Sequence, residues 1–391
     1  MNALTKADWP RRAGLRALAA ALGEDDIRWV GGAVRDTLLG AEVRDVDCAT
    51  LHTPDRVIDL CREAGIRTVP TGIDHGTVTA VLDDGPVEIT TLRRDIATDG
   101  RRATVAFATE WREDAARRDF TINALYAHPA TLEISDFFGG LADLEARLVR
   151  FIGEASERIA EDHLRILRYY RFQARFGSQL DDAAEEACAD MAGTLKGLSR
   201  ERIAAEILAL LALPDPHPTT ERMRARGVLQ VVLPEAGPGQ VAALGTLVAR
   251  EAEQNVAPDP LRRLAALLPP SPDIAEAVAA RLRLSRAQRA RLVSAAERKA
   301  PDSADRHALA YRIGTEFAVD RLLLLGGDTR PLADWQRPQF PLKGGAIVAR
   351  GVAAGPQVAR VLQAVENRWI AEGFPDAGRV EKLLDEELSA T

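Results

Sequence analysis

The 391-residue sequence predicts an α+β protein, a small mixed β-sheet with helices followed by an all-α remainder. Three observations point there. Short β-rich runs alternate with short helical segments between residues 26 and 152. The β signals fade after about residue 154. Proline and glycine breaks at 214–218, 234–239, 258–260 and 269–272 then cut the chain into helix-length pieces.

The elements follow in order. Residues 28–30 form an apolar run ending in Gly31-Gly32; 33–39 suit a helix that stops at Gly40, and 43–49 a strand. Residues 54–64 suit a helix with Thr53 as N-cap and Pro54 in its first turn. Runs 77–82 and 87–92 flank Asp83-Asp84-Gly85-Pro86, which is hairpin chemistry. Residues 93–114 are charged and aperiodic and are expected to form a mobile loop. Order resumes at 118–126, with strands expected at 132–138 and 148–152. Helices are expected at 155–176, 200–213, 218–227, 240–254, 261–268, 274–282 and 285–299.

Composition narrows the function classes. No apolar run approaches the roughly 18–20 residues of a membrane helix, so no membrane partner is expected. Three cysteines give neither a disulfide framework nor a CxxC zinc pattern. The start, MNALTKADWPRRAGL, lacks a charged stub followed by an apolar block, so a reducing cytoplasmic location is expected. The net charge of −7 argues mildly against a general nucleic-acid coat, although local patches set the field. Of 51 basic residues only five are lysine; a GC-rich coding bias explains this as well as phosphate recognition does.

Four clusters carry chemistry. Gly31 and Gly32 at a strand end let backbone approach an anion, with Arg35 on the following first turn; a plain tight turn reads the same way. In Arg44-Asp45-Val46-Asp47, a strand places Asp45 and Asp47 on one face. Two such carboxylates repel, and Mg2+ is their natural guest; an isolated DxD is otherwise a polar strand edge. Glu88 offers a third carboxylate or a surface strand position. Arg118, Asp119 and Asn123 suit phosphate and ribose hydroxyls, or else a capped amphipathic helix. In Glu161-Asp162-His163-Leu164-Arg165, with Arg168 and Arg171 beyond, Asp162 and Arg165 lie on neighbouring turns of one helix face. Such spacing makes an ordinary ion pair. It also suits a base reader: the carboxylate accepts from the amine of cytosine or adenine while the guanidinium donates to a ring acceptor. Uracil and guanine reverse these groups, at about 1–3 kcal/mol per buried mismatch.

Together the clusters resemble the class II tRNA nucleotidyltransferase and bacterial poly(A) polymerase family. The matching segments are GGAVRDTLLG (31–40), RDVDCAT (44–50), GIDHGTVTAV (72–81), VEITTLRRD (87–95), ARRDFTINALY (116–126), DFFGGLADL (136–144) and EDHLRILRYYRF (161–172). RERIAAEI (200–207) is similar to the family's next helical motif. The resemblance implies a nucleotidyltransferase-fold catalytic head at 1–152, a helical neck recognising the nucleobase at 153–215, and a helical body and tail binding tRNA at 216–391. By motif, Asp45 and Asp47 hold Mg2+, Gly32 and Arg35 touch the triphosphate, and Arg118 and Asp119 face phosphate and ribose. Asp162 and Arg165 read the base, supported by Arg168 and Arg171. The sequence departs from the family pattern at Ala97 and Ala103, which flank Asp99-Gly100-Arg101 in the expected loop. No histidine is followed by aspartate, so an appended phosphohydrolase domain is not expected.

The implied activity is addition of C-C-A to the tRNA 3′ end from CTP and ATP, with release of pyrophosphate; the implied partner is tRNA, through its 3′ end and acceptor-arm region. An A-only enzyme, A-adding or polyadenylating, is the alternative; His75-Gly76-Thr77-Val78 fits the CCA type better. A non-catalytic RNA-binding protein is the alternative from another class, and the intact Asp45, Asp47, Arg118, Asp162 and Arg165 speak against it. A cluster at Arg281, Arg283, Arg286, Arg289 and Arg291 is equally a phosphate track or a solvated helical surface.

Overall fold

A computed structural model describes residues 3–98 and 103–390, with the side chains of 74, 94–106 and 390 outside the description. The chain divides into two units, Met1–Pro234 and Glu235–Thr391.

The first unit opens with α1 (Ala13–Leu22), then β1 (Ile27–Val30), α2 (Gly32–Leu38), β2 (Val46–Thr50), α3 (Pro54–Glu63) and β3 (Arg67–Gly72). β4 (Thr77–Leu82) and β5 (Gly85–Thr91) form the expected hairpin, followed by β6 (Arg93–Thr98), β7 (Ala103–Phe107), α4 (Trp111–Ala116), β8 (Leu125–Ala127) and β9 (Ile134–Asp136). Seven strands make one mixed sheet in the order β3-β4-β5-β2-β1-β8-β9. Only β2 and β5 run parallel; the other neighbours are antiparallel. β6 and β7 form a separate two-stranded ribbon.

Alternation explains which face is buried. Val46 and Cys48 on β2, Val78 and Ala80 on β4, and Val87 and Ile89 on β5 are all buried. Asp47 and Glu88, one residue out of phase, point the other way and are exposed.

Several expectations are corrected. The strand expected at 43–49 begins only at Val46, so Asp45 sits in irregular chain ahead of β2. The loop expected at 93–114 contains the β6–β7 ribbon and α4; its residues Asp99, Gly100 and Arg101 lie outside the described residues. The strand at 132–138 contracts to β9, because Leu132 takes a positive φ of 57° and Asp136 turns its carboxylate to the backbone N–H groups of Phe138, Gly140 and Leu141. The strand at 148–152 is reduced to isolated bridges, Phe120 with Phe151 and Leu148 with Gln179.

The unit continues with α5 (Gly140–Glu145), α6 (Ala155–Glu161), α7 (Arg165–Phe176), α8 (Asp182–Asp190), α9 (Arg200–Leu211), α10 (His217–Ala225) and α11 (Val228–Val232). The single helix expected at 155–176 is broken. Asp162 leaves helical geometry at φ −150° and ψ 103°, and its Oδ1 accepts from the Leu164 N–H at 3.1 Å. A short polar side chain that satisfies backbone locally competes with helix continuation. Phe120 ties the sheet to α7, with ring centroids 4.9 Å from Phe151 and 5.1 Å from Phe172.

The second unit is helical: α12 (Pro238–Glu253), α13 (Pro260–Ala266), α14 (Pro272–Arg281), α15 (Arg286–Ala296), α16 (Arg306–Ile313), α17 (Thr315–Leu325), α18 (Gly344–Ala349), α19 (Pro356–Ala371) and α20 (Ala377–Ala390). Proline in the first turn starts α12, α13, α14 and α19, where its missing N–H costs nothing. Buried Glu251 on α12 accepts from Arg262 Nε at 2.9 Å and Arg263 Nε at 2.8 Å, joining α12 to α13. The arginine cluster of α14 and α15 is largely neutralised. Arg281 pairs with Glu235, Arg289 with Glu276, and Arg291 with Asp320, Asp259 and Glu316. It is therefore not a bare cationic strip.

Removing the Glu251 carboxylate strips two buried guanidinium groups of their shared acceptor. Glu251→Ala is expected to destabilise the fold by about 3–5 kcal/mol, read as a lowered denaturation midpoint.

Candidate active site

The candidate site is built from the turn after β1, the exposed face of β2 and β5, the segment between α4 and β8, and the α6–α7 break. Gly31 ends β1 at φ 68°, a conformation that disfavours other residues. A Cβ there would stand 3.6 Å from Arg118 Nη1. The turn and Arg118 therefore share one notch, with Gly32 opening α2 beside it.

Parallel pairing sets Asp47 directly beside Glu88. Partial withdrawal from water raises the Asp47 carboxyl above the usual carboxylate range; the charges of Glu88 and Asp45 add to this, and Arg118 opposes it without cancelling it. Asp47 still reaches solvent, so the crowding is that of an open crevice wall. The sheet thus holds together carboxylates that repel.

Arg118 is anchored from behind. Its Nε donates to the Tyr126 hydroxyl at 2.9 Å, and its Nη2 donates to Asp114 Oδ2 at 3.3 Å. Tyr126 Oη donates to the same Asp114 oxygen at 2.7 Å, and Arg117 Nε donates to Asp114 Oδ1 at 2.8 Å. Asp114 is 1% exposed. Burial alone would raise its carboxyl, but Arg118, Arg117 and the Tyr126 hydroxyl outweigh that and hold it low. Arg118 Nη1 makes no hydrogen bond among the described residues.

Asp119 is not the cap of an amphipathic helix. Its Oδ1 accepts from the Phe120 N–H and Asn123 Nδ2, both at 2.9 Å. Its Oδ2 accepts from Arg168 Nε at 2.8 Å and Nη2 at 2.6 Å. Four donors fill both oxygens. Burial would raise this carboxyl too, but the Arg168 charge and these hydrogen bonds hold it below the ordinary range. Asn123 Oδ1 in turn accepts from Arg35 Nη1 at 2.5 Å. Arg35 is only 6% exposed; its Nε donates to Asp36 Oδ1 at 2.8 Å and its guanidinium lies 4.3 Å from the Phe176 ring. Arg35, expected from the resemblance to touch the triphosphate, is packed against Asp36, Asn123 and the Phe176 ring.

Asp162 and Arg165 do not pair with each other. Asp162 Oδ2 accepts from Arg202 Nη2 at 2.6 Å. Arg165 donates through Nη1 to the Arg158 carbonyl at 2.8 Å and Glu161 Oε2 at 2.6 Å, and through Nη2 to the Arg117 carbonyl at 3.1 Å. Arg168 also approaches Glu206, at 3.7 Å, and Arg171 Nε donates to Glu206 Oε2 at 2.6 Å. Sequence reasoning missed Asp114, Tyr126, Arg202 and Glu206. Arg202 and Glu206 lie within the RERIAAEI segment, which did carry a signal.

A hydrogen-bond inventory separates two kinds of residue. Asp119 is saturated. Asp162 has one partner on each oxygen and can accept another on each. Arg165 uses three of a guanidinium's five N–H donors and keeps two.

A mixed sheet with paired carboxylates on its central strands beside a Gly-Gly turn and an anchored arginine, followed by helices, defines a nucleotidyltransferase head with a helical extension. The sequence matches the Poly A polymerase head domain over residues 27–150 and the probable RNA and SrmB-binding site of polymerase A over residues 177–238. It is 34% identical to the mitochondrial CCA tRNA nucleotidyltransferase 1 of Mus musculus, across 96% of this chain and 89% of the relative. The same enzyme of Homo sapiens is 34% identical across 89% of this chain and 84% of its own. The CCA-adding enzyme of Lactiplantibacillus plantarum is 45% identical over 48% of this chain and 46% of its own. The chain belongs to the CCA tRNA nucleotidyltransferase family. The fold agrees with the crystal structure of the Bacillus stearothermophilus CCA-adding enzyme in complex with CTP: TM-score 0.76, 24% identity, 97% of this chain and 99% of that one.

Because Asp47 is held against its neighbours' charge, Asp47→Asn is expected to leave the melting temperature unchanged or higher in metal-free buffer while abolishing nucleotide transfer. Asp119 has the opposite sign. Its low folded-state pKa stabilises the protein above the unfolded value of about 3.9, and that contribution is lost as pH falls through the folded value. Asp119→Asn should lower the melting temperature at neutral pH and shrink the deficit in acid.

Proposed function

We propose that this chain completes the tRNA 3′ end, adding C-C-A from CTP and ATP without a nucleic-acid template. The observation that carries the reading is the Asp47–Glu88 pair beside Asp45 and Arg118, in a chain alike over nearly its whole length to CCA tRNA nucleotidyltransferases. The tRNA 3′-hydroxyl attacks the α-phosphate of the bound nucleotide. A phosphodiester bond forms, the bond to pyrophosphate breaks, and the hydroxyl proton leaves to solvent.

The donor set suits a hard cation. Asp45 and Asp47 supply carboxylate oxygens whose mutual repulsion a cation relieves. Among the described residues no three or more His, Cys, Asp or Glu side chains form a ready metal cage. Magnesium typically takes one or two carboxylates and completes its shell with substrate phosphates and water. Asp45 and Asp47 would hold Mg2+, which would supply positive charge to make the hydroxyl a better nucleophile and to steady the leaving group. Glu88 adds negative field beside Asp47. Gly31 and Gly32 leave room for the triphosphate, and the outward Nη1 of Arg118 meets it. Asp119 and Asn123 fix the ribose side of the notch through Arg168 and Arg35.

Base choice falls to Asp162 and Arg165. The spare acceptors of Asp162 take the exocyclic amine of cytosine or adenine, and the spare N–H groups of Arg165 reach a ring acceptor. Arg202 holds the Asp162 carboxylate in place, and Glu161 aligns Arg165. Arg168 and Arg171, tied to Asp119 and Glu206, hold α7 in place. Residues 153–215 act as the nucleobase-reading neck and 216–391 as the tRNA-binding body and tail. The three cysteines are free and buried, which supports a reducing compartment; we read it as cytoplasmic, while the mammalian relatives are mitochondrial by name. No helix among the described residues is long and apolar enough to cross a membrane.

Purified protein with tRNA lacking CCA should add C from CTP alone and complete C-C-A with both nucleotides; incorporation of A alone would establish an A-only enzyme. Asp45→Ala should abolish incorporation and leave tRNA binding largely intact. Arg165→Ala should erode discrimination against UTP and GTP by roughly tenfold or more, the equivalent of one lost buried hydrogen bond. A variant still strict for C and A would remove Arg165 from the base-reading role.

A further inference from the structure

The catalytic carboxylates have two flanks. Strand order places β1, which leads into Gly31, and β8, which follows Arg118, on one side of β2. β5, β4 and β3 lie on the other. The Asp47 row continues across that second flank in register: Asp47 beside Glu88, Glu88 opposite Thr79, Thr79 opposite Val69. The adjoining row pairs Thr90 with Thr77 and Thr77 with Gly72. Residues in register share a face, so these threonines stand on the same face as Asp47, while Val78, Ala80, Val87 and Ile89 fill the buried one.

This face is hydroxyl-rich. Thr71 and Thr79 hydroxyls are 2.8 Å apart, and those of Thr77 and Thr90 are 3.2 Å apart. Each hydroxyl offers one donor and two acceptor positions, so a mutual bond leaves capacity for a ligand. At Gly76, immediately before Thr77, stands Phe107. Its ring would lie 3.3 Å from a Cβ at Gly76, and the side chain is 48% exposed. An exposed aromatic next to neutral hydroxyls, continuous with catalytic carboxylates, suits single-stranded RNA: ribose and phosphate oxygens on the hydroxyls, a base on the ring. Phosphoryl transfer places nucleophile and leaving group roughly in line on opposite sides of the phosphorus. With the triphosphate at Gly31 and Arg118, the incoming strand belongs on the opposite flank.

We propose that the face of β3, β4 and β5 beside Glu88 seats the 3′-terminal nucleotides of the tRNA, with Thr71, Thr77 and Thr90 contacting ribose and phosphate, the buried Thr79 backing Thr71 through their hydroxyls, and Phe107 stacking one base. This rests on the CCA-adding reading and names where its RNA substrate enters. Steady-state transfer to tRNA lacking CCA is compared for the wild type, Phe107→Ala, Phe107→Trp and the triple variant Thr71→Val, Thr77→Val, Thr90→Val, whose valines keep β-propensity. The expected result is a roughly tenfold rise in KM for tRNA in Phe107→Ala and the triple variant, KM for CTP within about twofold, and recovery in Phe107→Trp. An unchanged KM for tRNA, or an equal rise in KM for CTP, overturns the proposal. Binding of labelled tRNA lacking CCA, without nucleotide, reads the surface independently of turnover. Wild type that binds but transfers nothing, with binding weakened by Phe107→Ala, supports the surface and refutes the activity. Binding indifferent to Phe107→Ala refutes the surface alone.

Discussion

The buried Asp119 carboxylate is the joint on which the first unit turns. It faces the 118–123 segment through the Phe120 N–H and Asn123, and α7 through both forks of Arg168. Burying an ion is costly, and it is tolerated only when every lone pair finds a donor. The chain of partners then runs outward in both directions: through Asn123, Arg35 and Asp36 to Arg175, and through Arg168 and Glu206 to Arg171. Helix α7 is thereby indexed to the Gly31-Gly32 turn and the 118–123 segment. Planar bidentate guanidinium groups suit such a chain better than flexible ammonium groups. The arginine excess therefore has a structural use here, whatever bias produced it.

Saturation separates bracing from reading. A carboxylate with four donors holds position and has nothing left for a ligand. Asp162, with one donor on each oxygen, is held and still open. Arg202 is the pin that makes this state possible, because an unpinned aspartate would sample several rotamers. The same division applies to the arginines. Arg35 is committed to Asp36, Asn123 and the Phe176 ring, whereas Arg118 is anchored through Nε and Nη2 and keeps Nη1 outward.

Local signals were legible and long-range ones were not. β1, α2, α3 and the β4–β5 hairpin each carry their own pattern of apolar spacing, proline or turn residues. β3 does not, since its residues are mostly exposed and it is a strand only because β4 pairs with it. Strand β6 was hidden by its charged Arg93, Arg94 and Asp95, and β7 (ATVAF) is too short to stand out without that partner. The break at Asp162 is invisible to periodicity, because the apolar spacing of 155–176 continues through it; only the capping ability of Asp162 hinted at it. Asp162 and Arg165 were identified as a pair from spacing, yet each found a different partner. Arg202 comes from α9, forty residues away in sequence. The motif segments could not show which of their residues face one another.

The parallel pairing of β2 with β5 joins fold to chemistry most directly. The rest of the sheet is antiparallel, and this one pair brings Glu88 beside Asp47. Strand side chains alternate, so a one-residue slip of β2 would turn Asp47 into the core and bring Cys48, fully buried here, to the active face. The apolar residues Val46, Cys48, Val87 and Ile89 forbid that slip. Hydrophobic burial on one face thus enforces electrostatic crowding on the other. The repulsion between Asp47 and Glu88 is stored by the core.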